Sequence, residues 1–226
     1  CYLNCTNSTG ISFTSSDSNS RINVFYCLLD LTTTGITIFS SSSTGGIDFE
    51  YCRSFNSGGS VTASTISAGF VNLFHSFWQT PITSSSTGSI VCAYSSFSLS
   101  DTTAITTAGS SSANSVGFCS ISTGTASCIS IGSGTTIGVN NTRLSSLNTN
   151  AITGAGTIQF TNITFTGTSV ITPTTQTGQY ANLAKYKATA QPSFFAYRST
   201  VASNVTGDGT AYTIIWDAEL FDIGSN

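Results

Sequence analysis

The sequence predicts an all-β fold, a parallel β-helix solenoid of roughly seven or eight rungs. Three observations predict it. A unit read as apolar–x–aromatic–small recurs about every two dozen residues. A second strand signal keeps step with it. The composition favours strands and turns over helices.

The first signal runs through Val24-Phe25-Tyr26-Cys27, Phe49-Glu50-Tyr51-Cys52, Leu73-Phe74-His75-Ser76, Cys92-Ala93-Tyr94-Ser95 and Val116-Gly117-Phe118-Cys119. It fades into Val139-Asn140-Asn141-Thr142 and Phe160-Thr161-Asn162-Ile163. The second is marked by Ile11, Ile36, Val61, Ile82, Ile105, Ile129 and Ile152, in steps of 21 to 25 residues. Each rung thus holds at least two strands with alternating side chains, joined by Gly-, Ser-, Thr- and Asn-rich turns. A leucine-rich repeat shares the period but requires a Leu/Asn skeleton that this chain lacks.

Two columns follow. Val24, Phe49, Leu73, Cys92, Val116, Val139 and Phe160 form an inward apolar column. Tyr26, Tyr51, His75, Tyr94 and Phe118 form an aromatic ladder, giving way to Asn141 and Asn162. Stacked rings bury large areas and favour offset contact. His75, the only histidine, is expected as a stacked core residue rather than a ligand or base. Loss of the aromatics near Ile158 to Ile171 suggests a narrower stem at that end.

Charged residues make up only 7% of the chain, far below the ~25% of ordinary domains. The 39% hydrophobic content still suffices for a core, and the abundance of β-branched and aromatic residues argues against disorder. Net charge is −3, and the six basic residues form no patch, which argues against nucleic-acid binding. No run reaches the ~18 apolar residues of a membrane helix, so no membrane insertion is expected. The chain opens at Cys1, in mid-rung and without a secretory signal. It reads as a fragment or processed product, with a mature lipoprotein as the lesser reading.

Seven cysteines leave at least one unpaired within the chain. Cys5, Cys27, Cys52 and Cys119 are read into one repeat position shared with Ser76, Ser95 and Thr142. Equal positions on neighbouring rungs lie ~4.8 Å apart. The favoured reading is a ladder of small buried residues. The other is a disulfide between adjacent rungs, such as Cys5 to Cys27. A zinc site is disfavoured because no Cys-x-x-Cys pair occurs.

The β-helical part resembles the pectin-lyase-like superfold, which implies a right-handed helix. That family includes polysaccharide lyases and phage tailspike depolymerases. Glycoside hydrolysis needs two carboxyls about 5–9.5 Å apart. Asp48 and Glu50 alternate on one strand and point the same way, near Arg53. Glu50 lies between Phe25 and Phe74 of neighbouring rungs, so Phe25, Glu50 and Phe74 are carbohydrate-binding candidates. Asp48 and Glu50 are weak catalytic candidates, since a solvated outward pair beside Arg53 accounts for them as well. No nucleotide loop, nucleophile elbow or metalloprotease signature appears.

Three regions follow from the pattern: residues 1–172 as shaft, 173–190 as linker and 191–226 as a C-terminal β segment. Thr174-Thr175-Gln176-Thr177-Gly178 is linker-like, and 179–190, with Lys185 and Lys187, reads as one short helix. In the tail, Ser193-Phe194-Phe195-Ala196-Tyr197 and 211–217 read as strands around the Gly207-Asp208-Gly209 turn. Phe195-Ala196-Tyr197, Tyr212-x-Ile214-x-Trp216-Asp217-x-Glu219-x-Phe221-Asp222 and Asn226 resemble the opening of a C1q/TNF-like jelly roll. This resemblance covers the last thirty-odd residues. It implies a trimeric head with Tyr212, Ile214 and Trp216 on a sticky edge strand. A simpler reading makes the tail a cap on the solenoid.

No cofactor is expected. A calcium site from Asp208, Asp217, Glu219 and Asp222 is considered, but their spacing matches no standard loop. The sequons at Asn4, Asn7, Asn140, Asn162 and Asn204 are glycan acceptors if the source is eukaryotic. The expected function is a non-enzymatic fibre or spike on a virion or cell surface, homotrimeric or filamentous, that binds a glycan or receptor. A bacterial adhesin or extracellular matrix filament and a polysaccharide depolymerase are the alternatives.

Overall fold

Alternating inward apolar residues and short polar turns give the chain no way to bury its apolar faces except rung on rung. The computed structural model describes residues 1–5, 9–13, 17–31, 37–42, 44–56, 62–110, 113–148, 150–166, 170–171, 175–180, 193–197 and 218–223. Two compact units separate at Tyr186 and Lys187. The first is a parallel β-solenoid, so the fold class is the expected one. Among the described residues there is no helix.

Each rung contributes three strands. One rung runs through Gly46–Glu50, Arg53–Asn56 and Ser64–Ile66, and the next through Phe70–Phe74, Phe77–Trp78 and Ile82–Ser84. Equivalent strands pair parallel from rung to rung. Seven left-handed corners, at Tyr26, Tyr51, His75, Tyr94, Phe118, Asn141 and Asn162, enclose about six turns, slightly fewer than the rungs expected. Thr157–Thr166 rounds its corner as one continuous strand and joins two sheet faces.

The inward apolar column holds its register throughout, pairing Val24 with Phe49, Leu73, Cys92, Val116, Val139 and Phe160 in turn. The second column is in register from Ile82 through Ile105 and Ile129 to Ile152. Its earlier members differ. Ile11 pairs with Phe39, and Ile82 pairs with Ser64. Ile36 and Val61 lie outside the described residues. Turn lengths vary in the first rungs, so counting from one apolar residue to the next slips the register there.

Phe39, Phe49 and Trp78 form an aromatic cluster inside, with centroids 5.1 to 6.2 Å apart. Each such side chain contributes roughly 1.5–3 kcal/mol on burial. The last rungs do not thin into a stem: Ile158, Phe160, Ile163 and Phe165 are buried like their predecessors. Thr175–Tyr180, within the stretch read as linker and partly as helix, is a strand paired parallel with Thr157–Thr166. An open solenoid edge offers unpaired N–H and C=O groups, and a Thr- and Tyr-bearing segment pairs readily with them.

In the second unit, Ser193–Tyr197 is a strand, as expected. It pairs antiparallel with Ala218–Ile223. The expected strand 211–217, and with it Tyr212, Ile214 and Trp216, lies outside the described residues. No helix is long and apolar enough to cross a membrane among the described residues.

Candidate functional site

The corners organise the outer surface. A residue in left-handed backbone reverses the inward–outward alternation, so each corner residue projects out and the next one turns in. Tyr26, Tyr51, Tyr94 and Phe118 are 45 to 70% exposed. The aromatic ladder is therefore a surface feature, and His75 is an exposed member of it rather than a core residue. Its rings stack at 5.0 to 5.1 Å with planes within 12° of parallel. Because the faces meet one another, the ladder shows solvent mainly ring edges. It ends where Asn162 Nδ2 donates to Asn141 Oδ1 at 2.7 Å.

Beside the ladder runs the recessed column Cys27, Cys52, Ser76, Ser95, Cys119 and Thr142, all buried. One rule governs its members. Ser76 Oγ donates to the Phe74 carbonyl, Ser95 Oγ to Ala93 and Thr142 Oγ1 to Asn140. The Cys27 and Cys119 thiols donate to Phe25 and Gly117 in the same way. The Cys52 amide in turn donates to Ser76 Oγ, and the Ser76 amide to Ser95 Oγ. At six of the seven corners the buried residue is small and carries a donor, as Cys, Ser or Thr; after Asn162 the position is taken by Ile163.

Cys27, Cys52 and Cys119 belong to this column, as expected, but Cys5 does not. Cys5 pairs in register with Leu31. Cys1 takes the position beneath Cys27, its carbonyl accepting from the Leu28 amide. The expected spacing was 22 residues, whereas this rung takes 26. Cys1, Cys27, Cys52, Cys92, Cys119 and Cys128 are free thiols, so Cys27 forms no bridge. Burial pushes the Cys52, Cys119 and Cys128 thiols up, and Cys92 well up.

Asp48 and Glu50 share the outer face of Gly46–Glu50, and Glu50 pairs between Phe25 and Phe74 in register, as read from the sequence. Asp48 is already engaged. It accepts from Asn72 Nδ2 at 2.6 Å and from Arg21 Nη1 at 3.4 Å. The Arg21 guanidinium also lies 4.6 Å from the Phe70 ring centroid. That ring fits against Gly46, where a Cβ would come within 2.1 Å of it. Only glycine permits this approach.

Arg53 is not the partner of the carboxylates. The corner at Tyr51 carries it onto the next sheet face, where its guanidinium lies 4.5 Å from the Phe55 ring and 5.1 Å from Phe77. Nearness in sequence across a left-handed corner does not imply nearness of side chains. Residues Arg21, Phe70 and Asn72 were not singled out from the sequence. The matching 25- and 24-residue offsets from Gly46 are the signal that marks them.

Among the described residues no group of three or more His, Cys, Asp or Glu side chains is placed to hold a metal ion. Asp208 and Asp217 lie outside the described residues, while Glu219 and Asp222 are on Ala218–Ile223. Near the end of the ladder a surface cleft of about 410 Å³ is lined by Phe118, Asn141, Asn162 and Arg143 among others. No family model, no curated protein and no solved structure matches this chain.

Proposed function

We propose that this chain is a structural fibre or spike segment, exposed on a virion or cell surface, that serves attachment rather than catalysis. The observation that carries this reading is the column-by-column stacking of the solenoid. Backbone pairing, a continuous core, the corner hydroxyl and thiol ladder and the ring stack all run along one axis. Such a body is stiff along its length and presents one repeated face. Its outer surface is rich in neutral hydroxyls, so self-repulsion between copies is weak.

The engagement of Asp48 by Asn72 and Arg21 supports a structural role for that carboxylate, which leaves Glu50 without a second free acid on its face among the described residues. A depolymerase built on this pair is accordingly the lesser reading. A trimeric assembly and a C1q/TNF-like head opened by residues 191–226 belong to the same proposal, as does pairing of the 212–216 segment with another chain. An adhesin or matrix filament is the neighbouring alternative.

Labelled electron microscopy of the native source tests the reading. Label on virion tails or capsid spikes supports a host-recognition fibre. Label along cell-surface filaments moves the assignment to an adhesin or matrix filament. Free secreted protein in neither place overturns both and favours the enzyme.

A further inference from the structure

The cleft near the end of the ladder is a trough along the solenoid axis. Its floor is the recessed column Ser95, Cys119 and Thr142. One wall is Tyr94 and Phe118 followed by Asn141 and Asn162. The opposite wall comes from the residues just past each corner, Ser120, Arg143 and Thr164, which lie on neighbouring rungs in register. Four rungs at ~4.8 Å spacing make it roughly 15 Å long.

Arg143 distinguishes this trough. Arg21 is bound to Asp48 and Phe70, and Arg53 lies against two rings. Arg143 is exposed and makes no ion pair, side-chain hydrogen bond or ring contact among the described residues. No carboxylate lines the cleft. Its planar fork of donors is thus free to bind an anion bidentately.

The remaining groups describe the rest of the ligand. The Asn162–Asn141 bond leaves the Asn141 Nδ2 amide group and the Asn162 Oδ1 oxygen unused, a complementary pair for hydroxyls. Phe118 closes the ring stack: Tyr94 covers one of its faces, and the other meets the smaller Asn141 rung. Phe118 is 54% exposed, and its outward edge suits the apolar side of a sugar ring. The floor hydroxyls are already bonded to carbonyls, so occupation of the trough strands no buried donor. One guanidinium among neutral groups matches one carboxylate of a hydroxyl-rich chain.

We infer that this trough binds an acidic glycan, with the carboxylate of a uronic-acid residue on Arg143 and the sugar ring against Phe118. The inference rests on the attachment reading above and names the class of its ligand. The site lies apart from the Phe25–Glu50–Phe74 row, which carries a negative charge.

The test titrates the full chain with three defined probes: a hyaluronan hexasaccharide, a galacturonic-acid hexamer and neutral cellohexaose. The expected result is binding of at least one acidic probe, with cellohexaose at least tenfold weaker. Arg143→Gln and Phe118→Ala should each weaken acidic binding at least tenfold, with circular dichroism unchanged. Raising the salt should weaken wild-type binding and leave Arg143→Gln nearly insensitive. Absence of binding to both acidic probes overturns the inference. Equal binding of cellohexaose, or an Arg143→Gln variant that binds like wild type, also overturns it. The location of labelled chain in the native source is independent of these titrations, so failure of the site and failure of the attachment reading are distinguishable.

Discussion

Tyr51 stacks on His75 at 5.0 Å with planes 10° apart, and both residues sit in left-handed backbone at φ 53° and 49°. For an aromatic residue this conformation costs of the order of 1 kcal/mol or more. Stacking on both neighbours offsets it, since each ring pair contributes about 0.5–1.5 kcal/mol. The Tyr51 amide, freed by the corner, donates to the Phe74 carbonyl of the next rung.

Tyr51→Ala should therefore destabilise the solenoid by about 1–3 kcal/mol, because two ring contacts go and the strained backbone stays. Tyr51→Asn should cost less, since Asn tolerates left-handed backbone. Asn141 and Asn162 already show that solution at the same position. Denaturant unfolding of both variants checks the order. An Asn variant as unstable as the Ala variant would count against the backbone as the determinant.

Two buried serines should respond oppositely. Ser76 Oγ donates to the Phe74 carbonyl and accepts from the Cys52 amide; the carbonyl keeps the Tyr51 amide, so Ser76→Ala leaves the buried Cys52 amide unpaired and should cost about 1–3 kcal/mol. Ser84 Oγ is fully buried without a hydrogen-bond partner. Ser84→Ala should be neutral or stabilising by about 1 kcal/mol. Ser76→Cys should restore most of the loss, as a thiol fills this role at Cys27 and Cys119.

The buried thiols set an alkaline limit. Burial raises Cys52, Cys92, Cys119 and Cys128, so their neutral forms are favoured in the folded state. Their stabilisation is fully present below the ordinary thiol value of ~8.5 and is lost as pH rises above it, because only the unfolded chain then ionises freely. Unfolding midpoints measured from pH 7 to 10 should be flat at first and then fall. Cys92→Ala should flatten the fall. Native-state alkylation should modify Cys1, which is exposed, long before the buried five.

Gly46→Ala should cost more than Asp48→Asn. The first drives a methyl into the Phe70 ring and unseats the platform beneath Arg21, for about 1–3 kcal/mol. The second removes a long, 3.4 Å ion pair whose Arg21 side chain is exposed, and it contributes at most ~1 kcal/mol. Any polymer cleavage found for this chain should survive the double change Asp48→Asn, Glu50→Gln. A loss of cleavage in a folded double variant would restore that pair as the machinery.

The sequence by itself determined the solenoid, the inward column from Val24 to Phe160 and the placement of Glu50 between Phe25 and Phe74. All three follow from the period and from strict alternation along single strands. Tertiary structure alone decided what happens at corners and in turns of uneven length. It placed the ring ladder outside, moved Arg53 away from Asp48 and put Cys1 instead of Cys5 beneath Cys27. The physical reason is local. One left-handed residue inverts the inward–outward phase, and one extra turn residue shifts the register, while neither changes the hydrophobic pattern from which the strands are read. The trough at Arg143 depends on both effects, so its walls became adjacent only on folding.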